Sequence, residues 1–403
     1  MDRIVKSLKN KNFVFWEEIA RDGAQAKTLL SEVQRAEIAN SHSQIFGENA
    51  PDHLVFAAGF ISIGKEEKEI IKRLSETVDN CYLAVNCRSS RTEIDDSIDA
   101  IKTAKFPRIA YVFPGSERLC RLMLRKTQKE ALLQGIEIAK YAKDNAGDIP
   151  VDVQIAGSFD AEPEFIAEAA SALKEQGIAI THLGDTRGRI YPNETANYMN
   201  ELIKKSDSDQ LYGLHFHNDL GFSLANNLEA IKQGVTLSAT SWLGLAERNG
   251  LVSTELLTFL LAYEPEFINK RLGFDGKNLF ISPPNIKLLK QVAEKVSKYT
   301  GINLKVTDPI VGTGVNTIST GTPFVDTVSF QPFDSYEILD IPRKIYVTQL
   351  ASKRIIKEVS LEMGFTLSEN QIEILLEKVK EIAYKKNRSI MPEEELIELF
   401  TNV

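Results

Sequence analysis

An eightfold alternation of short apolar runs with longer amphipathic segments, between residues 13 and 262, constrains this chain more than any other feature. The runs are FVFWEEIA (13–20), HLVFAAGF (53–60), CYLAVNC (81–87), PRIAYVF (107–113), VDVQIA (151–156), ITHLG (180–184), LYGLHFH (211–217) and LSATSWLG (237–244). Between them, stretches such as EEKEIIKRLSETV and ETANYMNELIKKS space their apolar residues three and four apart, as one helix face requires. An eighth helical segment, 251–262, closes the series. Strict β/α alternation implies a parallel sheet. Eight such units predict an α/β fold, a (β/α)8 TIM barrel, with an open doubly wound sheet as the competing arrangement.

Beyond residue 262 the rhythm changes. SPPNIKLLKQVAEKVSKYTG predicts a helix stopped by Gly301, and residues 303–348, rich in Thr, Gly and Pro, read as extended or looped. Two terminal helices are expected over 367–386 and 392–401. The division expected is a barrel over 1–274 and a smaller, mainly helical C-terminal region over 275–403. A net charge of −8, with no clustered basic stripe, argues against a nucleic-acid partner. Three scattered cysteines (Cys81, Cys87, Cys120) neither form a disulfide framework nor pair as CxxC, which fits a reducing compartment. The opening MDRIVKSLKNKNFVF lacks a signal-peptide pattern, and no run approaches membrane-spanning length. The expectation is a cytoplasmic protein.

Polar residues gather where the predicted strands end: Arg21-Asp22-Gly23, Arg88, Ser116, Asp185-Thr186, His215 and His217, and Glu247-Arg248. In a barrel these ends converge on one mouth, where active sites sit. HFH at 215–217 puts two imidazoles at spacing two, on one face of a strand. Closure of a barrel brings the first and seventh strands to the same axial region, so Asp22 can complete a metal set with His215 and His217. One carboxylate and two neutral imidazoles leave positions open for a chelating 2-oxo carboxylate and water on a divalent Mg, Mn or Zn ion. The alternative for the pair is two buried, hydrogen-bonded histidines.

Arg21 carries a permanent charge that can stabilise an enolate or alkoxide beside the metal, or simply form an ion pair at a strand end. Gln25 can hold a metal-bound water or cap the first helix. Thr186 can donate to a substrate carboxylate or cap the helix that follows. Asp185 reads as a barrel-interior partner for a basic residue, and Glu247 with Arg248 as a structural ion network. His182, within strand six, reads as a core histidine, and His42 and His53 lie away from the mouth.

ARDGAQ (20–25), HFHND (215–219) and GLAERNG (244–250) resemble the three signatures of the metal-dependent Claisen-condensing barrels: 2-isopropylmalate, homocitrate and citramalate synthases, with 3-hydroxy-3-methylglutaryl-CoA lyase as a relative. NCRSSRTEIDDSIDAIKTAKFPRI (86–109) is similar to the isopropylmalate synthase branch, and similarity continues through TGINLKVTDPIVG (300–312). The resemblance implies a divalent metal on Asp22, His215 and His217, a chelated 2-oxo acid with Arg21 at its carbonyl oxygen, and an acyl-CoA donor. It implies Arg88 and Thr186 as substrate contacts, a homodimer through the hinge segments, and a chain that stops before any effector-binding domain.

Several family positions are altered. Ala57 stands where the strand-two motif carries a glutamate, and Ser158 or Phe159 where strand five carries an acidic pair. Leu119 replaces a histidine after strand four, Leu251 an asparagine after strand eight, and Thr322-Pro323 the hinge histidine. Asp160 and Glu162 are the nearest carboxylates to the strand-five gap and candidates for proton transfer, through a shift of register, with Glu17 and Glu18 as the other candidates for the base. General acid–base groups are worth about 10²–10⁴ in rate each, so these losses imply an altered substrate. Three functions follow: a synthase-like acyltransferase, a lyase or aldolase using the same enolate in the cleavage direction, or a catalytically reduced homologue that binds a metabolite or partner.

Overall fold

Each of the eight apolar runs carries a strand in the computed structural model, which describes residues 2–25, 27–274, 278–326 and 329–403. The strands are β1 (Val14–Glu17), β2 (Leu54–Phe60), β3 (Tyr82–Arg88), β4 (Pro107–Pro114), β5 (Val151–Ala156), β6 (Thr181–Asp185), β7 (Tyr212–Phe216) and β8 (Leu237–Thr240). They pair in sequence order, all parallel, and β1 closes on β8 through Val14↔Leu237 to Glu17↔Thr240. The fold is therefore a TIM barrel with additional helices towards the C-terminus. Helices on the outside and side chains on the inside cover both faces of every strand, which is why the runs are predominantly apolar.

Inward-facing side chains of five strands form one cluster, including Trp16, Val55, Ala57, Tyr82, Ala84, Ala110, Leu237 and Ala239, joined by Ile180 just before β6. Ile4 and Leu8 join it from a helix that the sequence reading did not foresee, Arg3–Lys9. Asp2 starts that helix by accepting the Ile4 and Val5 amides at 2.9 and 3.3 Å. Its other oxygen takes Arg108 Nη1 and Nη2 at 2.9 and 2.8 Å, and Arg108 Nε donates to Asp152 at 2.5 Å. Arg108 and Asp152 lie at the N-terminal ends of β4 and β5 and are fully buried. The helix and its ion network thus fill the base of the barrel, leaving the other end for chemistry.

The described residues divide into two compact units, Met1–Leu304 and Lys305–Val403. The boundary expected at 274/275 adjoins Asp275–Lys277, which lie outside the described residues. The helix foreseen before Gly301 is Leu289–Thr300, in the first unit. In the second unit the terminal helices are Glu369–Lys386 and Glu393–Thr401. A further helix, Lys353–Glu362, starts at Ser352, whose hydroxyl accepts the Ile355 amide. Residues 303–348, read as loop, hold the short helices Gly321–Val325 and Ser335–Leu339 and a parallel pairing of Thr317–Ile318 with Lys344–Ile345; Thr327 and Val328 lie outside the described residues. Phe324 packs against that unit's own core, while Phe330 is exposed. Among the described residues no helix is long and apolar enough to cross a membrane.

One buried acid on β1 yields a test. Glu17 accepts the Ile19 and Trp242 amides, each at 3.1 Å, and the Thr254 hydroxyl at 2.5 Å, tying β1 to the segments after β8. Burial pushes its carboxyl up to about 8 from 4.5, outweighing those hydrogen bonds. Between these values the folded chain keeps a proton that the unfolded chain has released, so this group's contribution to stability falls as pH rises towards 8. Glu17→Gln stays neutral. In urea titrations it should gain at least about 1 kcal/mol on the parent between pH 5.5 and 8.5; a pH-independent difference would refute the assignment.

Candidate metal centre

After β1 the chain turns sharply, because one carbonyl gathers three amides: Glu18 O accepts the N–H of Arg21, Asp22 and Gly23 at 3.0, 2.8 and 3.1 Å. A Cβ at Gly23 would lie 3.3 Å from the Ile19 side chain, the Leu245 carbonyl and the Thr28 hydroxyl, which favours glycine there. The turn brings Asp22 back over the barrel mouth. Its Oδ1 accepts the Glu247 amide at 2.9 Å, and its Oδ2 lies 3.2 Å from His215 Nε2 and 3.3 Å from an Arg21 nitrogen. His215 on β7 and His217 just beyond it share the inward face, with ring centroids 5.1 Å apart. One ligand atom from each of Asp22, His215 and His217 lies within 4.8 Å of the other two. All three residues are buried.

This donor set fits a divalent ion. The Nδ1 of His217 is a buried ring nitrogen with no hydrogen-bond partner among the described residues, which leaves a lone pair or proton unmatched unless a ligand meets it. Burial pushes His217 down to about 3, with the neighbouring His215 adding to the shift and Asp22 opposing it. The neutral ring is the ligating form. For Asp22, burial alone would raise the carboxyl. The Arg21 guanidinium and the His215 ring outweigh it and hold Asp22 well below the usual carboxylate range.

Arg21 is buried beside this cluster, and its closest carboxylate is Glu18. Glu18 grips it in a fork, with Nε to Oε2 at 2.7 Å and Nη2 to Oε1 at 2.5 Å. The Glu247–Arg248 network is present and wider than the sequence suggested. Arg248 meets Glu247 at 2.7 Å, both oxygens of Asp219 at 2.9 and 3.0 Å, and the Thr186 carbonyl at 2.8 Å, so it laces the loops after β6, β7 and β8.

The remaining sites scatter around the rim. Thr186 accepts the Gly157 amide at 2.8 Å, linking the ends of β5 and β6, and does not cap the next helix, whose first residue is Pro192. Arg88 ends β3 with an exposed side chain, and Gln25 is exposed in the turn Gly23–Gln25, with the helix Glu32–Phe46 capped by Ser31. Asp160 pairs with Arg187 at 3.3 Å and Arg189 at 3.7 Å, and Glu162 is exposed at the start of the helix Pro163–Glu175. Neither joins the Asp22 cluster. Asp185 has no basic partner among its hydrogen bonds; it accepts the Ile190 amide at 3.2 Å. His182 is a core residue, its ring 4.5 Å from that of Trp16, pushed down to about 3 by burial.

The altered family positions are filled structurally. Ser158 donates to the Ile155 carbonyl at 2.6 Å, and Phe159 packs on Tyr198 and Phe216. Two residues escaped the sequence reading. Asp219, inside HFHND, anchors Arg248. Asn86, inside NCRSSR and inward on β3, is buried with its Oδ1 unpartnered among the described residues. Both sit in quoted motifs, a signal that could have singled them out.

A family model described as HMGL-like matches residues 13–275. A 2-isopropylmalate synthase of Bacillus pumilus is 25% identical over 379 residues, covering 92% of this chain and 70% of that protein. A 2-isopropylmalate synthase of Pyrococcus furiosus is 28% identical over 380 residues, covering 91% and 71%. Among solved structures, the HMG-CoA lyase of Brucella melitensis superposes with a TM-score of 0.57 at 17% identity, over 72% of this chain and 99% of that one. That likeness concerns the fold.

The cluster predicts its own loss. In calorimetry with Mn²⁺, His217→Ala should bind at least about 100-fold more weakly than the parent, since even outer-shell partners are worth about 10–100-fold. Saturating Mn²⁺ should raise the parent's Tm and leave the variant's unmoved. Equal affinities would remove His217 from the site.

Proposed function

Because the chain belongs to the HMGL-like family, as a divergent member of the superfamily of 2-isopropylmalate synthases and HMG-CoA lyases, we propose that it is an isopropylmalate-synthase-like acyltransferase. It would condense an acyl-CoA with a 2-oxo acid, using an altered substrate pair. The observation that carries the reading is the buried conjunction of Arg21 with Asp22, His215 and His217 at the C-terminal mouth of the barrel. A divalent Mg, Mn or Zn ion held by the last three would supply Lewis-acid stabilisation of an oxyanion on the bound 2-oxo acid.

In this reaction a bond forms between the acyl α-carbon and the keto carbon. The α-proton passes to a base, the keto oxygen gains a proton, and water opens the thioester to release free CoA. Arg21, fixed by its carboxylate neighbours, would meet the developing alkoxide; one such donor is worth about 10²–10³ in kcat. Arg88, Thr186 and Gln25 are assigned to substrate contacts, and Asp160 and Glu162 to proton transfer. Catalysis belongs to the barrel over 1–274, with 275–403 as hinge and helical subdomains of a cytoplasmic homodimer.

The test is thiol release from acetyl-CoA with a panel of 2-oxo acids and Mg²⁺, Mn²⁺ or Zn²⁺. Release that requires both the metal and one particular oxo acid, and that falls about 10²–10³-fold in Arg21→Met, is expected. Pyruvate or acetyl-CoA released from a hydroxy-diacid, with no condensation, would replace the reading with a lyase. Tight binding of a metabolite without turnover would replace it with a binding protein.

A further inference from the structure

We propose that Glu18 is the positioning carboxylate of this site, holding both Arg21 and His215, in the space that Ala57 leaves open on the neighbouring strand. The pairing of β1 with β2 runs Phe15↔Leu54, Trp16↔Val55, Glu17↔Phe56, so the next residues, Glu18 and Ala57, sit side by side on the inward face. Ala57 is fully buried in the interior cluster and ends at a methyl group. A carboxylate projecting from position 57, as the family resemblance has it, would enter the same layer of the barrel that the Glu18 side chain occupies from β1. Here the acid has moved across one strand.

Its geometry suits holding rather than proton transfer. Both oxygens are engaged by the Arg21 fork, at 2.7 and 2.5 Å. Two parallel bonds fix a guanidinium in plane and in direction, which one bond does not. The oxygen that meets Arg21 Nη2 also lies 3.7 Å from His215 Nδ1, while Nε2 of the same ring lies 3.2 Å from Asp22. At 3.7 Å the contact is Coulombic rather than a hydrogen bond. The imidazole therefore spans two carboxylates, one at each nitrogen. An outer carboxylate at the far nitrogen favours the tautomer whose other nitrogen faces the metal. Glu18 thereby couples the orientation of a proposed ligand to that of the residue proposed to meet the oxyanion.

The metal-binding consequence stands without any assumption about substrate; the catalytic one rests on the acyltransferase reading. Glu18→Gln keeps the volume but loses one acceptor and the charge. Calorimetry with Mn²⁺ alone should show affinity weakened about 10–100-fold in a variant that circular dichroism shows to be folded. The double variant Glu18→Ala, Ala57→Glu returns a carboxylate to the neighbouring strand and should recover most of that loss. If thiol release is found for the parent, kcat should fall in Glu18→Gln by a larger factor than KM rises. Unchanged Mn²⁺ affinity in a folded Glu18→Gln overturns the proposal, and so does a folded double variant that recovers nothing. If neither variant folds, Glu18 is a stability residue and the positioning role falls. A parent without thiol release but with the Mn²⁺ effect and its rescue retains the positioning role and loses the acyltransferase reading.

Discussion

Closure of the sheet by the pairing of β1 with β8 brings together residues that the chain keeps more than two hundred positions apart. The Glu247 amide reaches Asp22, and Trp242 reaches Glu17, across that seam. Once the seam is closed, both ends of the barrel must deal with charge in a low-dielectric interior, and they do so differently. At the base, Arg108 is enclosed by Asp152 and Asp2, and Asp2 also caps the helix that plugs the cylinder. Arg108, Asp152 and Asp2 satisfy one another there, and truncating one partner of such a pair typically costs about 3–5 kcal/mol. At the mouth the pairing is incomplete, with His217 Nδ1 and Asn86 Oδ1 unpartnered among the described residues. The ion network at the base reads as scaffold, and the unmatched ring nitrogen beside Asp22 and His215 as a place for something to bind.

Strands were legible in the sequence because parallel strands covered on both faces are predominantly apolar, and eight such runs lie where the eight strands are. The clustering of Asp22, His215 and His217 was legible for a related reason: spacing two fixes the relative direction of the imidazoles, and barrel closure turns the ends of strands one and seven towards the same axial region. The helix Arg3–Lys9 was not legible. Its pattern is short, and its stability comes from Asp2, Arg108 and the interior cluster, partners far away in sequence. Thr186 was read as a donor to a substrate carboxylate or as a helix cap, and neither reading named a bridge between strand ends. The structure has it bridging to Gly157.

Arg21 shows the limit most clearly. Its sequence neighbourhood offers Glu17, Glu18 and Asp22, and nothing in the spelling ranks them. The Glu18 carbonyl, by collecting three amides, folds the chain back so that Arg21 crosses its own turn and meets the Glu18 carboxylate three residues upstream. Glu17, one residue earlier, points to the opposite face and into the helix layer, where it meets Thr254. Adjacent glutamates thus serve different ends, one in packing and one at the mouth. Period-two geometry separates them, but only after the strand's register is known.

Charge around the mouth then bears on what can enter. Glu18 and Asp22 flank a single buried guanidinium, so one negative charge in that triplet lacks a covalently supplied counterpart. His217 does not supply it, because burial holds that ring neutral. A monovalent cation would bring the triplet to neutrality and leave no attraction for an anionic substrate. A divalent one leaves a single positive charge, which a 2-oxo carboxylate can neutralise while chelating through two oxygens. Under the proposed function, that anion would enter with its carbonyl towards Arg21. The same arithmetic disfavours a substrate with a second carboxylate near the metal unless a further cation such as Arg88 accompanies it. Loop contacts reinforce the selection, because Arg248 spends its guanidinium on Asp219, Glu247 and the Thr186 carbonyl and so closes the rim without adding free positive charge.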